Sequence, residues 1–72
     1  MEIEKVNVSS SVIEAIGYDK DSETLRIWFL NLSVYDYLRV SVFEFEALRS
    51  APSIGSYLTR NIKGLYTYKK IR

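Results

Sequence analysis

The sequence predicts an α+β domain in the order β-β-β-α-α-β: an antiparallel three-stranded meander, two short helices, then a C-terminal strand. Three observations predict it. Through Thr24–Leu30 apolar residues alternate with a period of two, the pattern of a half-buried strand. After Ser41 the spacing changes, and Phe45 and Leu48, then Ile54, Tyr57, Leu58 and Ile62, fall on helical faces. From Leu65 to Ile71 the alternation returns. A length of 72 residues suits one domain, residues 1–72, and leaves no room for a second.

Val12 to Tyr18 and Thr24 to Leu30 are β-branched and aromatic runs, and Asp19-Lys20-Asp21-Ser22-Glu23 between them is a polar turn. In the second run Leu25, Ile27 and Phe29 alternate with Thr24, Arg26 and Trp28. The third run, Val34 to Val40, carries Tyr35 and Tyr37 on one face and Val34, Leu38 and Val40 on the other. Asp36 falls in that second set and makes it an awkward core face. Ser41, with Glu44 three residues on, fits a capping box that opens a helix through Leu48 or Arg49. Pro52 separates this helix from the next, for which Ser53 is the N-cap and Gly64 the terminator. The last strand then presents Tyr66, Tyr68 and Lys70 on one face. Met1 to Val8 could add a short edge strand, although Ile3 and Val6 keep no single period.

Composition narrows the function. Ten Lys and Arg against nine Asp and Glu give a net charge of +1, but the signs are segregated. Residues 1–46 hold all nine acids and four cations, a balance of −5; residues 47–72 hold six cations and no acid. An apolar fraction of 47% is too high for a disordered chain. A domain this small buries only about 60% of its unfolded surface, so its stability should be a few kcal/mol. With no Cys, disulfides, thiolate metal sites and a Cys nucleophile are excluded; with no His, the commonest general base and metal ligand are missing. The longest apolar run, Ile27 to Leu30, falls far short of the roughly 20 residues of a membrane helix. The start Met1-Glu2-Ile3-Glu4-Lys5 is acidic and unlike a secretory signal. Asn7-Val8-Ser9 and Asn31-Leu32-Ser33 match the glycosylation sequon, but a secreted domain of this size normally carries disulfides, so both read as chance. A cytoplasmic protein with no cofactor and no membrane partner is expected.

The carboxylates do not assemble a catalytic pattern. Asp19-x-Asp21-x-Glu23 imitates the start of a calcium loop, but Thr24 and Leu30 stand where that loop needs Gly and Glu. Glu44 and Glu46, two apart on a helix, do not face each other. Ser9-Ser10-Ser11 has no His to activate it, and nothing singles out one Lys as a base. The expectation is a protein that is not an enzyme and holds no metal.

An ordered set of short motifs remains: Val8-Ser9-Ser10-Ser11, Ile16-Gly17-Tyr18-Asp19, Leu25-x-Ile27-x-Phe29, Tyr35-x-Tyr37-x-x-Val40 and Ala51-x-Ser53-x-Gly55-x-Tyr57, closed by Ile62 and Tyr66-x-Tyr68. From about Val6 to Ile71 this set resembles the KTSC domain, named for its place at the C-terminus of some lysyl-tRNA synthetases and also found as a free-standing bacterial or phage protein. The resemblance implies a domain with no established catalytic residue, for which RNA binding has been suggested. The family's central Tyr-x-Tyr matches Tyr35 and Tyr37. Two positions depart from its pattern: Leu32 stands where the family usually has Gly, and Val40-Ser41 where it often has Val-Pro. Leu at a left-handed turn position is strained by roughly 1 kcal/mol.

The candidate surface is the basic C-terminal segment. Arg60, Lys63, Lys69, Lys70 and Arg72 bracket Tyr66 and Tyr68, and nucleic-acid binding needs cations for phosphates together with rings for unpaired bases. The equal alternative is that Tyr66 and Tyr68 fill a small core beneath a solvated basic edge, whose lysines guard an edge strand against aggregation. Ser53-Ile54-Gly55-Ser56 at the start of the second helix could receive a phosphate on its backbone N–H groups. The plainer alternative, favoured here, is that Ser53 caps and Gly55 allows close packing. The central hairpin turns on register. A two-residue turn at Asn31-Leu32 sets Trp28 opposite Tyr35 and exposes the tyrosines; a three-residue bulged turn sets Phe29 against Ser33, Ile27 against Tyr35 and Leu25 against Tyr37. The bulged turn is favoured, with Tyr35 and Tyr37 toward the core and Trp28 outside or under another element. The functional expectation is RNA binding through the tyrosine-containing basic surface. The alternative is a protein-interaction module, as a homodimer or against a phage or host partner.

Overall fold

The computed structural model describes residues 3–72. Five strands form one antiparallel sheet in the order β1-β2-β3-β4-β5: β1 (Val6–Asn7), β2 (Ile13–Asp19), β3 (Thr24–Phe29), β4 (Val34–Tyr37) and β5 (Tyr68–Lys70). Helices α1 (Val42–Arg49) and α2 (Ile54–Asn61) connect β4 to β5. Four strands, not three, precede the helices. The additional one pairs Val6 with Ile16 and Asn7 with Ala15. Both of its residues are exposed, so only backbone pairing to β2 defines it and no hydrophobic period could announce it. Met1 and Glu2, which the anticipated edge strand included, lie outside the described residues.

The two faces of the sheet are covered differently. Ile16, Leu25, Ile27 and Tyr37 on one face join Ile13 and Val40 with Leu48 of α1 and with Leu58 and Ile62 at the end of α2, in a single buried cluster. Tyr18 stacks on Phe45 of α1, with ring centroids 4.9 Å apart. On the other face the N-terminal segment crosses β2 at Gly17. A Cβ there would lie 2.5 Å from the Glu4 carbonyl oxygen and 2.5 Å from the Ile3 side chain, so only glycine admits the crossing. Trp28 is half-buried on this face, with the Lys5 ammonium 5.6 Å from its ring centroid.

The hairpin between β3 and β4 takes the bulged turn. The Phe29 N–H donates to the Ser33 carbonyl at 2.9 Å, and Ile27 pairs with Tyr35 and Leu25 with Tyr37. Tyr37 is 3% exposed and Tyr35 half-buried. Leu32 adopts φ 76°, the conformation for which glycine is the unstrained residue, while its side chain is 73% exposed and packs little. Leu32→Gly should therefore raise stability by up to about 1 kcal/mol. A urea-unfolding midpoint that stays put or falls would contradict this.

Both helices start on serine caps. The Ser41 hydroxyl accepts from the Glu44 N–H at 3.2 Å, and the Ser53 hydroxyl from the Ser56 N–H at 3.3 Å. Gly64, at φ 86°, turns the chain beyond α2 and leads it back toward the sheet.

Candidate nucleic-acid interface

The register of β5 on β4 decides which parts of the basic segment act together. Tyr68 lies opposite Tyr37, Lys69 opposite Asp36 and Lys70 opposite Tyr35. Cross-strand partners share a face. Tyr68 and Lys70 therefore stand on the helix-bearing face, and Lys69 stands on the other with Asp36 and Arg26. The Tyr68 ring is 5.5 Å from that of Tyr35 and 6.1 Å from that of Tyr37, and Phe29 meets Tyr35 edge-on at 5.6 Å. Tyr68 stays 56% exposed at the outer end of this aromatic row. A pocket of about 390 Å³ opens between the rings and the turn after α2, with Asn31, Ser33, Lys63 and Gly64 completing its wall. Arg72 reaches the same end of the sheet, where its Nε–H donates to the Leu32 carbonyl at 3.3 Å.

Other candidates lie elsewhere. Tyr66 is half-buried, and its hydroxyl donates to one oxygen of Glu44 at 3.1 Å; the Tyr57 hydroxyl donates to the other. Glu44 thus ties α1 to α2 and to the chain entering β5, in place of the return bond to Ser41 that a capping box would make. Arg60 is exposed on a separate groove of about 630 Å³ between the 9–12 loop and the start of α2. Ser53, Gly55 and Ser56 line that groove too, and their local roles are plain. Ser53 caps, and a Cβ on Gly55 would come within 3.0 Å of Val12. The Ser10 hydroxyl accepts from the N–H groups of Val12 and Ile13, each at 3.2 Å.

Sequence reasoning missed Phe29, Asn31 and Ser33 as pocket residues. The signal lay in the favoured register, which puts Phe29 against Ser33 and brings the turn to the tyrosine face. Acids leave the cations of the pocket free. Asp36 is held by Arg26, and Glu46 is paired with Arg49. Among the described residues none of Lys63, Lys69, Lys70 and Arg72 lies in an ion pair. No group of three acids among the described residues is placed to hold a metal ion.

Several phenols resist ionisation. Burial, helped by the neighbouring Tyr35 and Tyr68, raises Tyr37 above the usual value of 10.0. The hydrogen bond to Glu44 raises Tyr57, and burial with the same carboxylate raises Tyr66. Burial chiefly raises Tyr18, with Glu23 and Asp19 adding to it. The folded state thus keeps these protons after the unfolded chain has begun to lose them. Stability should be constant with respect to these groups below about pH 10 and fall as pH rises through their folded values. Denaturant unfolding across this range, with Glu44→Gln bringing Tyr57 and Tyr66 back toward ordinary phenol titration, checks the sign. A stability that rises above pH 10 would reverse it.

Comparison with known proteins places this geometry in a family. The family model described as the KTSC domain matches residues 9–68. The chain belongs to the KTSC domain family. It is 37% identical to a KTSC domain protein from Yersinia pestis, whose crystal structure superposes with a TM-score of 0.95 over 99% of this chain and 100% of that one. It is also 36% identical, over 61 residues, to lysine–tRNA ligases of Nostoc sp. and Nostoc punctiforme; these matches cover 85% of this chain. The matched segment spans only 11% of the length of each ligase. Among the described residues no helix is long and apolar enough to cross a membrane.

Proposed function

We propose that this domain is a non-catalytic, cytoplasmic module for single-stranded RNA, with unpaired bases against Tyr68 and Tyr35 and phosphates against Lys63, Lys70 and Arg72. The observation that supports it most is the exposed Tyr68 ring at the mouth of an aromatic pocket whose wall holds an unpaired lysine. Stacking on a flat face tolerates any base, and cations supply the sequence-independent attraction. The ligases that resemble this chain are named for a transfer RNA, which is consistent with an RNA partner. Ser53, Gly55 and Ser56 are left out of the contact set because capping and packing already account for them.

The test is fluorescence anisotropy with a labelled single-stranded RNA of ~10 nucleotides across a salt series. Three phosphate contacts give a slope of log affinity on log salt of roughly −2, a tenfold to twentyfold loss between about 50 and 200 mM salt. Absence of binding at low salt, or binding indifferent to salt, would sink the reading.

A further inference from the structure

We infer that the tyrosine pocket takes a single base at a time, so one unpaired nucleotide among phosphates is a complete ligand; this rests on the RNA reading above. A longer unpaired tract then adds only more places to bind. The ring geometry supports it. A base held between two parallel rings needs them ~7 Å apart, twice a van der Waals contact of ~3.5 Å. The rings of the row are closer than that. Phe29 and Tyr35 are 5.6 Å apart, Tyr35 and Tyr37 6.4 Å, Tyr35 and Tyr68 5.5 Å, and Tyr37 and Tyr68 6.1 Å. No base slides between two of them, and stacking is confined to the faces that the row leaves open.

Of the four rings, only Tyr68 leaves such a face. Tyr37 is buried. Tyr35 is met by three rings: edge-on by Phe29, stacked by Tyr37 and tilted by Tyr68. Phe29 and Tyr35 also pack against the buried core, whereas Tyr68 stands outside that cluster with more than half of its surface exposed. A base laid flat on Tyr68 meets Tyr35, inclined by 46°, at its edge, so Tyr35 does not stack a second one. The cavity of about 390 Å³ is at the small end of ligand sites, room for one nucleoside rather than a run of bases. A second base stacked on the first touches no further ring of the row and gains only what neighbouring bases gain in the free strand. Charge is supplied separately, by Lys63 at the pocket wall and Lys70 opposite Tyr35, and does not depend on further bases.

The experiment counts bases at constant phosphate number. RNA strands of ~10 nucleotides are made wholly abasic, with one base, with two, and with all bases present, and their affinities are read by fluorescence anisotropy at low salt. One base should raise affinity roughly fivefold to a hundredfold over the abasic strand, the effect of one stacked base. A second should add at most about twofold, and the full strand at most about tenfold over the single base, the statistical gain of more places to bind. The salt slope should be the same for every strand, because the phosphates are. In Tyr68→Ala the single-base strand should fall to the level of the abasic one. A second base that multiplies affinity fivefold or more, or a single-base gain that survives Tyr68→Ala, overturns the one-base pocket and leaves the RNA reading standing. An abasic strand that binds as well as the full one also overturns it, since nothing then stacks. Failure of the full strand to bind at low salt overturns both.

Discussion

Arg26→Met should cost roughly 2–3 kcal/mol and leave much of the protein unfolded near room temperature. Arg26 and Asp36 lie directly opposite on β3 and β4, on the face away from the helices. Two parallel bonds join them, from Nε to Oδ1 at 2.7 Å and from Nη2 to Oδ2 at 2.8 Å. The Asp36 side chain is 6% exposed and that of Arg26 23%, so removal of the guanidinium strands a carboxylate that water barely reaches. The bond to Asp36 also raises the Arg26 pKa further above its ordinary value, against the opposing effect of burial. This cost lies just below the ~3–5 kcal/mol of a fully buried pair that loses one partner, because the Arg26 side chain is partly exposed to water. Asp36→Leu alone should cost less, since a stranded arginine can extend toward solvent. The double variant Arg26→Met/Asp36→Leu should recover most of the loss, because apolar residues of similar volume often replace such pairs at little cost. Urea unfolding of the wild type, both single variants and the double variant measures the coupling directly. Additive losses would mean that the pair does not act as a unit.

That pair also shows what the sequence makes legible. Asp36 interrupts an apolar face, and the interruption is visible without coordinates; its resolution is not, because the partner is ten residues away and register chooses it. Register itself could be read only through Leu32. The Gly implied at position 32 by the resemblance to the KTSC pattern favours the bulge that sends Tyr35 and Tyr37 toward the helices, and φ 76° at Leu32 agrees. The helices were open to reading because their signals are local: Ser41 and Ser53 as caps, Gly64 as terminator. Glu44 shows the limit of local rules. Its spacing from Ser41 suggests a capping box, but its carboxylate finds the hydroxyls of Tyr57 and Tyr66, contacts that exist only after α1, α2 and the chain before β5 have packed. The basic segment divides for a similar reason. Adjacent lysines look like one cluster in a linear chain, and strand alternation sends them to opposite faces.

That division leads to the second large effect, a contrast between Lys63→Gln/Lys70→Gln and Lys69→Gln. Removing the two cations of the tyrosine face should weaken single-stranded RNA binding about tenfold and flatten the salt slope by about 1.4, two contacts at ~0.7 each. Lys69 sits across the sheet, opposite Asp36. A screening length of ~8–10 Å at ordinary salt leaves it little influence on a strand bound to the other face, so Lys69→Gln should keep the wild-type slope within about 0.2. Glutamine is preferable to glutamate at position 69, because a carboxylate there would face Asp36 and confuse lost binding with lost stability. Tyr68→Ala supplies the complementary test. It removes a stacking surface worth ~1–3 kcal/mol per base and no charge, so affinity should fall while the slope holds. The slope thus separates charge from stacking, and the position of the lysine separates one face from the other. If Lys69→Gln flattens the slope as much as the Lys63 and Lys70 changes do, the nucleic acid runs over the Arg26–Asp36 face and the tyrosine pocket is not its site.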